Sequence, residues 1–148
     1  ARNYGEYVQQ KYKDVLGVNI ELDFNEWSTF QQKTNSGEYQ MGNMTWSTDY
    51  DDPMSMISLF TTENSSNIPT NWSNEEFDSL IAQAGKEMDE AKRVELYAQA
   101  EQILFNEGCN ICPLVNEMQH IFRYSYVKNV DKKFTSTSGA KYIYIEGR

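Results

Sequence analysis

The segment that most constrains this chain is Val18 to Trp46, where the hydrophobic period changes twice. In "VNIELDF", the apolar Val18, Ile20, Leu22 and Phe24 alternate strictly with Asn19, Glu21 and Asp23, the period of a half-buried strand. "NEWSTFQQKTNSG" reads as a helix, with Asn25 as the predicted N-cap, Trp27 and Phe30 on the inner face and Gly37 as terminator. "EYQMGNMTW" reads as a second strand, its Gly42 marking a bulge or a close backbone approach. Strand, helix and strand joined by short connections predict a βαβ unit, with parallel strands and a right-handed crossover. The fold class expected is therefore α/β. The residues after Trp46 then follow the C-terminal end of a strand, where ligands gather in open α/β sheets.

The flanking segments read as helices first and strands later. "YGEYVQQKYKDVLG" repeats Tyr4, Val8, Tyr12 and Val15 on one helix face, with Gly17 placed as a left-handed C-cap. Asp52-Pro53 opens a short helix, "PMSMISLF", with Asp as cap and Pro at the first helical position. "SNEEFDSLIAQAGKEM" has Ser73 and Glu76 in capping-box register and Phe77, Leu80, Ile81 and Ala84 as its buried face. In "DEAKRVELYAQAEQILFNEG", Asp89 is the expected cap, Val94, Tyr97, Glu101 and Leu104 form one stripe, and Gly108 ends the helix. "ICPLV", "HIFRYSYV" and "YIYI" read as strands. At 148 residues the chain suits one domain with a real core. Thirteen basic against 22 acidic residues, a net charge of −9, argue against nucleic acid and against attraction to anionic membranes. No apolar run approaches the ~20 residues of a membrane helix, so no direct membrane insertion is expected. The first residues lack the apolar core of a signal peptide and read as a helix under way, so the chain is expected to begin inside a larger protein.

"TWSTDYDDP" crowds three carboxylates into nine residues, Thr45 to Pro53. A calcium site would want a glycine-hinged loop with six to eight oxygens, and a glycosidase two carboxyls set apart across a sugar; neither pattern is present. Asp52 is most simply a helix cap and Asp51 most simply solvated. Asp49, two or three residues from a strand end and an indole, could meet a ligand cation away from bulk water. "CNIC" invites a redox reading, but reactive CxxC thiols sit at a helix N-terminus, whereas Cys109 follows a helix end and Pro113 pushes Cys112 toward extended backbone. Two small buried, unbridged thiols are expected instead. With two Cys and the single His120, zinc is poorly served. No Ser/His/Asp arrangement, P-loop or dinucleotide fingerprint can be assembled, so neither an enzyme nor a cofactor is expected.

Several motifs in order then resemble a known family. Leu16-Gly17-Val18, Glu26-Trp27, Phe30, Gly37 and Tyr39 lead into Trp46, Asp49, Tyr50, Asp52 and Pro53. Downstream come "WSNEEFDSLIAQA" and the Ala91, Arg93, Leu96, Tyr97, Ala100, Glu101 pattern. This series resembles the family 5 extracytoplasmic solute-binding proteins, the peptide-binding subunits of bacterial ABC importers. The resemblance implies one lobe of a type II periplasmic-binding-protein fold, with residues 1–117 belonging to the second, C-terminal lobe and 118–148 forming a tail that recrosses the hinge. It implies that Asp49 pairs with a peptide α-ammonium, that the backbone of Thr45 and Ser47 pairs with the peptide as an added strand, and that Trp46 walls a side-chain pocket. Asn116 and Glu117 stand at the hinge crossing, where Glu117 either favours basic side chains or is a hinge residue. The chain departs from some members in having Thr34 and Asn43 where they carry basic residues for the peptide carboxylate. The implied partners are a peptide and an ABC permease, and the implied location is outside the cytoplasmic membrane, periplasmic or tethered as a lipoprotein. The competing readings are a thiol-disulfide oxidoreductase using Cys109 and Cys112, and a fragment with no retained affinity.

Overall fold

A computed structural model describes residues 2–64, 70–106, 111–116, 118, 120, 122–130 and 140–147. They fall into two compact units, Ala1–Gly42 and Asn43–Arg148.

In the first unit, helix α1 (Arg2–Lys11) runs into a π-helical turn, Tyr12–Leu16, that Gly17 ends at φ 67° and ψ 15°. This left-handed conformation is cheap only for glycine. The Gly17 N–H bonds the Lys13 carbonyl at 3.1 Å and the Val18 N–H bonds that of Tyr12 at 3.3 Å. A π turn takes more residues per turn than an α turn. Val8 and Tyr12 are half-buried as expected, but Val15 is swung out of phase to 73% exposure. The chain then reverses along α1. Gln9 Nε2 donates to the Ile20 carbonyl at 2.7 Å, and the Arg2 guanidinium lies 4.9 Å from the centroid of the Phe24 ring. That ring comes so close to Gly5 that an added Cβ there would sit 3.3 Å from it. The alternation read from the sequence holds only at its centre: Ile20 and Leu22 are half-buried and Asn19, Glu21 and Asp23 exposed, but Val18 and Phe24 are exposed as well.

Helix α2 (Trp27–Asn35) is present where the periodicity puts it. It ends in a Schellman turn: Glu38 N–H to Lys33 O at 2.8 Å and Gly37 N–H to Thr34 O at 3.2 Å, with Gly37 at φ 73°. Its start differs from expectation. Asn25 donates from Nδ2 to the Asp23 carbonyl at 3.2 Å, so Glu26 stands at the N-cap without a side-chain bond. Trp27 is 62% exposed and stacks on Phe30 at 5.8 Å; the side chain that α2 buries is Thr34, whose hydroxyl donates to the Phe30 carbonyl at 3.0 Å. An ion pair between Lys33 and Asp23 at 2.6 Å holds the Asp23 carboxyl below its usual range. The extended segments on either side of α2 are not joined into the predicted parallel pair: no ladder hydrogen bond links 18–24 to 38–42 among the described residues. A ladder needs a neighbouring strand about 4.8 Å away, whereas 18–24 lies on α1, which offers it a side-chain donor. Without a ladder, the expected bulge at Gly42 does not arise, and an added Cβ there would meet Tyr39 at an ordinary 3.7 Å.

The second unit holds the core. Its elements are α3 (Met54–Ile57) with a 3-10 turn Ser58–Phe60, α4 (Glu75–Ala84) and α5 (Glu90–Asn106). A two-stranded antiparallel ladder pairs β1 (Val127–Lys128) with β2 (Tyr144–Ile145). β1 overlaps the expected strand 120–127 only at Val127, β2 lies inside 142–145, and the expected strand at 111–115 does not form. Ile57, Leu59 and Phe60 pack with Phe77, Leu80, Ile81 and Ala84 of α4 and with Tyr97, Ala100, Ile103 and Leu104 of α5. Trp72 meets Phe77 edge-on at 5.1 Å. The α4 face is the one expected, but its cap falls one residue later: the Asn74 side chain, not Ser73, accepts the Phe77 N–H at 2.9 Å. Asp89 caps α5 as expected, accepting the Lys92 N–H at 3.1 Å. The buried face of α5 centres between Ala100 and Leu104, which leaves Val94 at 59% exposure and Glu101 exposed at its far edge.

One carboxylate joins α3 to α5. Asp52 Oδ1 accepts the Met54 N–H at 2.8 Å, the geometry of a helix cap, with Pro53 at the first helical position. Its Oδ2 takes the Arg93 guanidinium, and the Tyr97 hydroxyl donates to Oδ1 at 3.3 Å while accepting from Arg93 at 3.1 Å. Burial alone would push the Asp52 carboxyl up, but the Met54 N–H and the Arg93 guanidinium outweigh it and hold the pKa below the ordinary value. Burial pushes the Tyr97 phenol up, and the bond to Asp52 raises Arg93 further.

Two outcomes are expected in urea unfolding. Phe77, fully buried at the core centre, should cost about 3–5 kcal/mol when cut to Ala, whereas Val94→Ala should change stability by less than about 0.5 kcal/mol. For Asp52, the unfolded chain binds more protons wherever the pH lies between the depressed folded pKa and the ordinary ~3.9. Its contribution is therefore complete above that ordinary value and lost as the pH falls through the folded one. Asp52→Asn keeps the cap acceptor but not the charge, so its unfolding midpoint should fall less steeply than wild type between about pH 5 and pH 3. Parallel slopes for the two proteins would show that Asp52 carries no such linkage.

Candidate functional site

The stretch Thr45–Asp52 carries no helix or strand and bends at Asp49–Asp52 before α3 begins. What shapes it is backbone pinning. Asp49 donates its N–H to Ser55 Oγ at 2.8 Å, Asp52 donates to the Tyr50 carbonyl at 2.9 Å, and Ser55 donates to the Asp52 carbonyl at 3.0 Å. The loop is thereby folded back onto the first turn of α3. Thr45, Ser47 and Asp49 are exposed along it, and Trp46 keeps 38% of its surface open.

The three acids are treated differently. Asp52 is consumed by the cap and by Arg93 and Tyr97. Asp51 is exposed. Asp49 is held by its backbone while its carboxylate makes no hydrogen bond or ion pair among the described residues. A fixed, uncompensated carboxylate three residues from a partly open indole can take a cationic ligand group through charge-assisted hydrogen bonds. Among the described residues no three His, Cys, Asp or Glu side chains come together as a metal site.

The remaining sequence candidates lie elsewhere. Asn116 is exposed in the segment after α5, with no hydrogen bond to the loop among the described residues. Glu117 and Cys109 lie outside the described residues, and with Cys109 goes the question of a bridge. Cys112 has a free thiol and is exposed, not buried as expected. Ile111, its neighbour, packs on the core. Sequence reasoning gave Ser55 no role, placed Tyr97 on a helix stripe and Arg93 only in a family motif, and did not pair either with Asp52. The spacing of those two, four apart on α5, placed them on one helix face, but nothing in the sequence named Asp52 as what they meet.

Comparison with known proteins was consistent across sequence and structure. Residues 1–68 match the family model "Bacterial extracellular solute-binding proteins, family 5 Middle". The oligopeptide-binding protein OppA of Bacillus subtilis is 42% identical over 100 residues, 68% of this chain and 18% of that protein. The dipeptide-binding protein DppE of Bacillus subtilis is 41% identical over 107 residues, 72% of this chain and 20% of that protein. Among solved structures, a periplasmic oligopeptide-binding protein (OppAIV) from Borrelia burgdorferi superposes with a TM-score of 0.68 at 36% identity, covering 74% of this chain and 22% of that one. The murein tripeptide-binding protein MppA in its unliganded open form gives a TM-score of 0.64 at 32% identity, covering 68% of this chain and 19% of that one. The chain spans about a fifth of the length of the curated relatives it matches. No helix among the described residues is long and apolar enough to cross a membrane. The fold class is α/β, as in these relatives. With the family model, the identities and the backbone in agreement, the chain belongs to family 5 of the bacterial extracellular solute-binding proteins.

Proposed function

We propose that this chain supplies the peptide-gripping face of the C-terminal lobe of a solute-binding subunit that hands oligopeptides to an ABC permease. Residues 1–117 belong to that lobe, and 118–148 form the tail that recrosses the hinge. The subunit works outside the cytoplasmic membrane, in the periplasm or tethered at the cell surface, and catalyses no reaction. The observation that carries this reading is the contrast within one loop: the Asp49 carboxylate is exposed and has no partner among the described residues, while that of Asp52 is spent on the fold. Relatives named as oligopeptide- and dipeptide-binding proteins support the ligand class.

In this reading Asp49 takes the peptide α-ammonium and sets the end of the register. The backbone N–H and C=O groups of Thr45 and Ser47 pair with the peptide as an added strand, which gives affinity without reading side chains. Trp46 walls a side-chain pocket, its indole presenting a broad apolar face. The family resemblance puts Asn116 and Glu117 at the hinge crossing, where Glu117 either favours basic peptide side chains or is a hinge residue.

The test is calorimetry on the full-length protein with free-amine and N-acetylated forms of one peptide. Asp49→Asn keeps the shape and removes the charge. Because a charge-assisted hydrogen bond is worth roughly 1.5–3 kcal/mol, the free-amine peptide should lose about one to two decades of affinity. The acetylated peptide starts weaker and should lose much less. Equal losses for the two forms would make Asp49 structural and remove the ammonium socket from this loop.

A further inference from the structure

Ser55 is the one polar side chain buried in α3, at 5% exposure. A hydroxyl so placed needs a partner, and within a helix it commonly turns back to a carbonyl of the preceding turn. Ser55 instead reaches out of its helix and accepts the N–H of Asp49 at 2.8 Å. Ser55 is itself fixed, since its own N–H donates to the Asp52 carbonyl at 3.0 Å and Asp52 is held by Arg93 and Tyr97. A continuous run of hydrogen bonds therefore leads from α5, where Tyr97 is buried, through Asp52 and Ser55 to the backbone of Asp49. At its end stands the exposed carboxylate.

The backbone position of a residue sets where its side chain starts and which rotamers are open to it. A loop anchored at that one residue presents its carboxylate before ligand arrives, and ordering it on binding would weaken affinity. We propose that Ser55 is a positioning residue for the ligand ammonium: its buried hydroxyl holds the Asp49 backbone so that the carboxylate stands preorganised in the free protein. This rests on the reading of Asp49 given above. Ser55 touches no ligand and acts only through Asp49. Its effect must therefore vanish when Asp49 has no charge to position.

The experiment combines Ser55→Ala, Ser55→Thr, Asp49→Asn and the double variant in the full-length protein, each titrated calorimetrically with free-amine and N-acetylated tripeptide. Ser55→Ala should weaken the free-amine tripeptide about three- to tenfold, the scale of one neutral hydrogen bond, and the acetylated one by less than about twofold. Ser55→Thr, which keeps the hydroxyl, should restore most of the loss. In the Asp49→Asn background Ser55→Ala should cost the free-amine tripeptide nothing further, the non-additivity of two residues acting through one contact. In the unaltered, ligand-free protein the Asp49 amide should also exchange with solvent more slowly than a free amide. Equal losses for both tripeptide forms, full additivity with Asp49→Asn, or an unprotected Asp49 amide would each overturn the role of Ser55 while leaving Asp49 its own. If Asp49→Asn leaves free-amine affinity unchanged, the ammonium reading fails and this inference fails with it.

Discussion

The second unit depends on one carboxylate. Asp52 closes the first turn of α3, meets Arg93 and Tyr97 of α5, and through its own carbonyl receives the N–H of Ser55. A half-buried carboxylate costs desolvation, and it is tolerated here because a backbone N–H, a guanidinium and a phenol all donate to it. An exposed ion pair contributes little on its own. This cluster differs because it is held on both sides by helices whose apolar faces are already packed, so little side-chain freedom remains to be lost. The short α3 has only four residues, too few to form alone, and it exists because its cap and its apolar side are both supplied from elsewhere in the unit.

That arrangement also explains how three acids stay so close together. Like charges in adjacent positions repel, and a chain of net charge −9 has no surplus of cations to neutralise them all. Asp52 takes Arg93. Asp49 is left with its charge exposed and its backbone bonded to a buried hydroxyl. A protein that must hold a cationic ligand group reversibly has reason to keep one carboxylate uncompensated, since an internal partner would have to be displaced on every binding event.

In the proposed reading, this loop does its work through backbone. Irregular segments present N–H and C=O groups that helices and closed ladders have already used, and an extended peptide can pair with them whatever its side chains. Specificity then comes from the ends. In the same reading, a carboxylate at one end of such a run selects the register without selecting the sequence, which would suit a carrier of varied peptides.

The boundary between what sequence and tertiary structure decide runs through individual residues. Local rules located Gly17 and Gly37 as helix terminators, Asp89 as a cap, and Phe77, Leu80, Ile81 and Ala84 as a buried face. Each of these depends on backbone conformation or on periodicity within a few residues. The same rules marked Asp52 as the cap of α3, and so separated it from Asp49 before any fold was known. They failed where a competing local conformation won or where the partner lay far along the chain. Trp27 reads as a core residue and stays exposed, Asn25 reads as a cap and bonds elsewhere, and Val15 and Val94 lose their faces to a π turn and to the way α5 packs. Ser55 looks like any serine in a short helix. Arg93 and Tyr97 lie 41 and 45 residues beyond the carboxylate they hold. Sequence by itself determined which segments could be helical, where they stop, and which acid could cap. Only the tertiary structure decided which acid is spent and which is left exposed without an internal partner among the described residues, because that depends on which side chains the folded helices bring within hydrogen-bonding distance.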